Sequence, residues 1–461
     1  MYETSINYQT YSQEVTGFDG EGQLTSAINY VVSDNMPVLY NLEGHDESSM
    51  SETMKETIEK ANIEIKFLNL LSEEAVPDDA ECLFIFAPET DLTKEEADKI
   101  ISYLEIAYPQ INFEEGKTLI IFDEVQACPQ ALTSIKFLGS ETKYDYIVSG
   151  SLLGIAIKHT SSYPVGYVES IEMKPMGFDE FLKAMNLKDQ VILQLKDYFE
   201  KGEPVNEMLH EKFMDYFRTY IIVGGMPEAV KCYVKTKDFM AVRKIQRQIV
   251  EDYYRDMAKY AEAKDKIKAH ECFSSIPLQL SKDNKKFQYK LVRDGGNARH
   301  FETSLQWLKD SGTIHFCHRL KCIDTPLQAY KEQSVFKIYM ADTGLLVSQF
   351  DESIMKELLK NELGVYKGAI YENITAQMLI KNHHDLYYYE PTTRSEIDFI
   401  LQEKGNIIPM EVKSGNNTRA KSLHAYVEKY NPVKAYRFST RNVNAEDPII
   451  KNYPLYMMMF V

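Results

Sequence analysis

The chain has 461 residues, 44% of them hydrophobic and 26% charged, the balance of a soluble globular protein, and no apolar run of 18 residues or more could span a bilayer. Its length allows several domains, each with its own core. The formal charge of −17 is unevenly placed: residues 1–104 hold 22 acidic residues against five lysines and no arginine, while the rest is neutral and has its first arginine at Arg218.

Six scattered cysteines and a polar segment after Met1, rather than a signal peptide, give a cytoplasmic expectation. From 37 to 104, short apolar runs ("PVLYNLEG", "EIKFLNL", "ECLFIFAP") alternate with amphipathic helical pieces, a pattern of parallel strands with crossover helices. Residues 118–124 and 146–157 read as further buried parallel strands. Residues 179–262 read as helices, with Pro227 suited to a first helical turn after the paired glycines 224 and 225. Short helices and strands surround Trp307, and 362–461 returns to a helix followed by strands.

The strand "TLIIFDE" closes on Asp123-Glu124. An acid pair at the carboxyl end of an apolar strand is placed to hold Mg²⁺ through Asp123 and to polarise an attacking water through Glu124. Ser149 and Ser151, at the end of the next strand, stand where a polar sensor of a γ-phosphate belongs. The Gly116-Lys117-Thr118 just before is not a phosphate-binding loop. Counting back five from Gly116 gives Ile111 instead of glycine, and Thr118 opens a strand where the loop requires a helix.

Near the carboxyl end, "SEIDFI" and "IIPMEVKSG" read as neighbouring strands carrying Asp398, Glu411 and, two residues on and on the same face, Lys413. Two carboxylates and a lysine in this spacing suit a Mg²⁺ held by Asp398 and Glu411 against a scissile phosphate, with the lysine orienting or deprotonating water. Glu372, in the helical stretch "GAIYENITAQMLI", supports them, and Glu396, expected toward the opposite strand end or the rim, ranks below Asp398. An E-x-K strand alone is common surface chemistry; the upstream acids give it weight. A basic stretch, "KDNKKFQYK" at 282–290, reads either as a grip on a DNA backbone or as a solvated hairpin.

Two resemblances organise these parts. Residues 5–104, through "FDGEGQLTSAINYV" and "VPDDAECLFIFAPETDLTKEEADKIISYL", resemble the soluble domain of gliding-motility-type auxiliary subunits of ABC transporters. From about 105 onward, "KTLIIFDEVQACPQALTSIKF", "YDYIVSGSLLGIAI", "VGGMPEAV", "ADTGLL" and "EIDFI…IIPMEVKSG" resemble the prokaryotic AAA-type ATPases that end in a PD-(D/E)XK nuclease-like domain. The resemblance implies an α/β multidomain protein: a parallel-sheet ATPase-like core at 105–185, a helical lid-like region at 186–262, a winged-helix-like region at 263–350 and an α/β nuclease-like domain at 351–461. The relatives keep their phosphate loop in the region that 1–104 occupies here. The expectation is therefore Mg²⁺ use with ATP binding weak or lost, DNA as a partner of the nuclease-like end, and a protein partner for the acidic front. The competing expectations are a non-catalytic interaction protein, or a fusion of two gene fragments without function as a unit.

Overall fold

The computed structural model describes residues 2–7, 12–18, 38–42, 54–55, 58, 63–68, 80–84, 116–123, 125, 144–150, 168–260, 266–360, 362, 364, 366–392, 395–413, 420–444 and 446–461. They fall into two compact units, 1–171 and 172–461.

In the first unit, β1 (Tyr2–Asn7) and β2 (Ser12–Phe18) pair antiparallel. Strands β3 (Val38–Leu42), β4 (Glu64–Leu68) and β5 (Ala80–Phe84) form a sheet of order β4-β3-β5 in which both pairings are parallel, as the alternation of strand-like and helix-like pieces implies. A second parallel pair joins β6 (Leu119–Phe122) to β7 (Asp145–Val148). Gly116 sits in a turn with φ +72°, so the chain around Lys117 turns into a strand and not into a helix. No helix among the described residues is long and apolar enough to cross a membrane.

The second unit begins with helices α1 (Phe178–Ala184), α2 (Asp189–Lys201), α3 (Glu207–Val223), α4 (Pro227–Thr236) and α5 (Phe239–Tyr260). Phe178, Phe181, Phe217 and Tyr220 are fully buried and pack ring against ring at 5.3–6.4 Å. Such pairs add about 0.5–1.5 kcal/mol each beyond their buried area. Pro227 occupies the first turn of α4, where its missing N–H costs nothing.

Helices α6 (Lys266–Leu280), α7 (Tyr289–Val292) and α8 (Ala298–Asp310) then lead into the antiparallel pair β8 (Ile314–Leu320) and β9 (Lys331–Met340). After α9 (Thr343–Ser348) and α10 (Ser353–Lys360) comes α11 (Lys367–Lys381), buried on every side from Ala369 to Leu379. That explains why its sequence shows no polar face. Strands β10 (Tyr387–Thr392) and β11 (Ser395–Ile397) extend the β8–β9 pair into a sheet of order β11-β10-β8-β9. The segments expected as winged-helix-like and nuclease-like thus share one sheet. The chain then crosses to a second sheet, β12 (Phe399–Glu403), β13 (Asn406–Val412), β14 (Ala435–Ser439) and β15 (Ile450–Pro454), with α12 (Lys421–Tyr430) linking the parallel strands β13 and β14.

The polar residues of α11 bolt it to the end of β9. Asn373 Oδ1 accepts from Met340 N at 2.8 Å, and its Nδ2 donates to Met340 O and Thr343 Oγ1. Gln377 Oε1 accepts from Thr343 N and Oγ1 at 2.8 and 2.7 Å. Next to this bolt, Asp342 caps α9 by accepting from Leu345 N at 2.9 Å and reaches Gly225 N at 2.6 Å. Glycine is required here: a Cβ on Gly344 would lie 2.6 Å from Gly224 Cα, and Gly224 itself has φ +74°. The sequence motifs "VGGMPEAV" and "ADTGLL" therefore meet in one packing knot.

Candidate functional sites

At the carboxyl ends of β6 and β7 the structure brings Asp123 and Ser149 together: Ser149 Oγ donates to Asp123 Oδ1, while Ser149 N donates to Phe122 O at 2.8 Å. Parallel pairing from Leu119–Asp145 to Phe122–Val148 sets this register. The other two residues expected here, Glu124 and Ser151, lie outside the described residues.

The C-terminal constellation is complete among the described residues. Asp398 stands where the chain leaves β11 and enters β12, between the two sheets. Its Oδ2 accepts from Val412 N at 2.8 Å, just past the Phe399–Met410 pairing where the β12–β13 ladder ends. Glu411 is buried in β13, and Lys413, two residues on, contacts its Oε1. Glu411 Oε2 is buried without a hydrogen-bond partner.

Glu372 reaches in from α11 as expected. Its partners are cations and a phenol: Lys285 on Oε1, and on Oε2 Tyr339 Oη at 2.9 Å and Lys337 Nζ at 3.3 Å. Lys337, only 1% exposed, also meets Glu396 Oε1 at 2.6 Å and lies 4.9 Å from the centre of the Tyr388 ring. Glu396 is therefore a member of the cluster and not merely a rim residue. It lies in β11, two residues before the chain crosses between the sheets at Asp398.

Four carboxylates thus face three ammonium groups, Lys285, Lys337 and Lys413. Burial, and then the neighbouring charges of Glu411 and Glu372, push Asp398 well above the ordinary carboxylate range. Burial also raises Glu411 against the pull of Lys413. For Glu372, burial acts upward but Lys337 and Lys285 overcome it and hold the group low. Lys337 would be pulled down by burial, yet Glu372, Glu396 and Asp398 keep it charged, well above the usual lysine range.

Sequence reasoning missed Lys337 and Lys285. A lysine inside the apolar run "SVFKIYM" was the available signal for the first, since a buried charge requires a partner. Lys285 belongs to the basic stretch 282–290, which turns part of its charge inward: Lys285 to Glu372, and Lys286 to Glu390 at 2.5 Å. Lys282, Lys290 and Arg299 remain exposed. His383, two residues past the end of α11, lies near Lys174. Arg394 lies outside the described residues.

The donor set suits a hard cation. No group of three or more His, Cys, Asp or Glu side chains among the described residues is arranged to hold a metal. Two carboxylates, one with an unpartnered buried oxygen, match how Mg²⁺ is usually bound, through one or two carboxylates with water and substrate phosphate completing the shell.

No curated protein is significantly similar to the chain. Among solved structures, the Walker-type ATPase of Pyrococcus abyssi aligns at 13% identity and a TM-score of 0.33, covering 72% of this chain and 96% of its own. A domain of unknown function, DUF8612, matches residues 214–353 and another, DUF4143, matches 367–457. The family described as an AAA domain matches 53–182, a span that includes β4 to β7 with Asp123 and Ser149. Over that span the chain is similar to AAA-type ATPase domains, a family that in general uses nucleotide and Mg²⁺.

Proposed function

We propose that the chain is an AAA-type ATPase-family protein that keeps the Mg²⁺- and phosphate-sensing end of a nucleotide site without a phosphate loop of its own, and whose C-terminal part is a PD-(D/E)XK nuclease-like domain acting on nucleic acid. The observation that carries the reading is the convergence of Asp398, Glu411 and Lys413, with Glu411 Oε2 left without a partner. The order α6, α7, α8 and then the β8–β9 pair supports a winged-helix-like part.

In such a site Asp398 and Glu411 would hold the cation, which would supply charge neutralisation at the scissile phosphate and a lowered pKa for a bound water. Asp398 is positioned by Val412 N. Lys413, tied to Glu411, presents a positive group at the mouth, where its side chain is 30% exposed. The deciding experiment is Mg²⁺-dependent cleavage of DNA by the full chain. Loss of cleavage in Asp398→Ala and Lys413→Ala is expected; cleavage that survives in Asp398→Ala overturns the reading.

Positioning of the triphosphate is most of what catalysis of phosphoryl transfer requires. No segment of the chain fits G-x-x-x-x-G-K-[ST], so turnover of Mg-ATP is expected to be absent or at background. A measured turnover that Asp123→Asn and Glu124→Gln abolish would show instead that the nucleotide site is complete.

A further inference from the structure

Lys337 stands in β9 between Phe336 and Ile338, both buried, and its Cα pairs across to buried Cys317. Its ammonium is enclosed: Glu372 Oε2 on one side at 3.3 Å, Glu396 Oε1 on another at 2.6 Å, and the Tyr388 ring over it at 4.9 Å. The remaining oxygen of Glu372 is taken by Lys285, and Tyr339 Oη fixes the carboxylate from below. Two-cation sites on phosphodiesters hold their ions about 3.5–4 Å apart on shared carboxylates. Here Asp398 lies within electrostatic reach of Glu411 and of Glu372. On the Glu411 side there is an oxygen with no partner; on the Glu372–Glu396 side the oxygens already meet a fixed cation.

We infer that Lys337 serves as a built-in monovalent cation in the place of a second metal, so that the C-terminal site takes one divalent cation, on Asp398 and Glu411, and no more. This rests on the nuclease-like reading of the cluster. A dication on the Glu372–Glu396 side would have to displace an ammonium anchored in the middle of a buried strand. It would also face Lys285 across Glu372, and like charges a few ångströms apart repel strongly where water is scarce. The arrangement makes Lys337 a positioning residue: it touches the carboxylates and not the reacting phosphate.

Titration of the full chain with Mn²⁺ tests this, in an Asp123→Asn background that removes the other acid placed to bind a cation. The expected result is one Mn²⁺ per chain by calorimetry, lost in Asp398→Asn, with an uncoupled six-line electron paramagnetic resonance spectrum. Lys337→Gln is expected to admit a second equivalent and to give the exchange-coupled spectrum of a close pair. Two equivalents or a coupled spectrum with Lys337 present overturn the inference while leaving the nuclease-like reading in place; so does a Lys337→Gln protein that still binds one. No Mn²⁺ bound, or one retained in Asp398→Asn, overturns the nuclease-like reading and this inference with it. If Lys337→Gln does not fold, the count and the spectrum with Lys337 present decide alone.

Discussion

Helix α11 serves two buried acids, and they are compensated in different ways. Glu372 lies on the helix itself and is met by two lysines and a phenol. Asp342 lies five residues of helix away, about 7.5 Å along the axis, opposite Gln377, and is met by the backbone N–H groups of Gly225 and Leu345 and by the Gln377 amide. Both carboxyl groups are buried, yet Glu372 is held below the usual range and Asp342 is pushed up to about 6. Whole charges offset the desolvation of a carboxylate; dipoles offset only part of it.

The sharpest way to break the comparison is to remove the charge from the first site. Lys337→Met leaves Glu372 and Glu396 buried or half-buried with one cation fewer. Breaking a buried ion pair from one side costs about 3–5 kcal/mol, and chemical denaturation is expected to show a loss of that size. Adding Glu372→Gln to Lys337→Met removes the stranded charge and is expected to recover part of the loss. A loss below about 1 kcal/mol, the scale of exposed pairs, would mean that Lys337 does not compensate these acids.

The second site makes a prediction of opposite sign in pH. Burial raises Asp342 above its unfolded value, and its N–H partners only partly counter this. A group whose folded pKa is raised favours the folded state fully below about pH 4, and that contribution disappears as pH rises through about 6. With roughly 1.4 kcal/mol per unit, a rise of about two units corresponds to about 3 kcal/mol between those limits. Asp342→Asn, which cannot ionise, is expected to lack this fall when unfolding is compared at pH 4.5 and 6.5. Glu372→Gln is expected to change the pH dependence in the other direction, because the folded state there prefers the ionised form.

How much of this was legible in the sequence follows from sequence distance. The parallel strands β3 to β7, the start of α4 at Pro227 and the E-x-K pattern at Glu411 and Lys413 are local signals and read directly. The cations were not legible, because Lys337 and Lys285 stand 35 and 87 residues from Glu372 and no periodicity links them. Glu396 was ranked low because its partner, Lys337, stands 59 residues away in sequence. "VGGMPEAV" and "ADTGLL" were visible as words without a reason. The reason is steric: the first turn of α9 approaches the end of α3 so closely that a Cβ on Gly344 would run into Gly224. The β1–β2 pair was not anticipated at all.

The mildest test removes one lysine at a time from two neighbouring ion pairs. Lys285 and Lys286 are neighbours in sequence, and each meets a glutamate, Glu372 and Glu390 respectively. Glu390 also has Arg319 at 3.1 Å, so losing Lys286 leaves it partnered; losing Lys285 leaves Glu372 with Lys337 alone among its cations. Lys286 is also partly exposed, which screens its charge. Lys286→Ala is therefore expected to cost about 1 kcal/mol or less, and Lys285→Ala measurably more by the same denaturation assay. Equal losses would mean that neither the remaining cations nor the exposure of the pair sets the value of a lysine to its glutamate, and the contrast between Glu372 and Asp342 would then need a cause other than the charge of their partners.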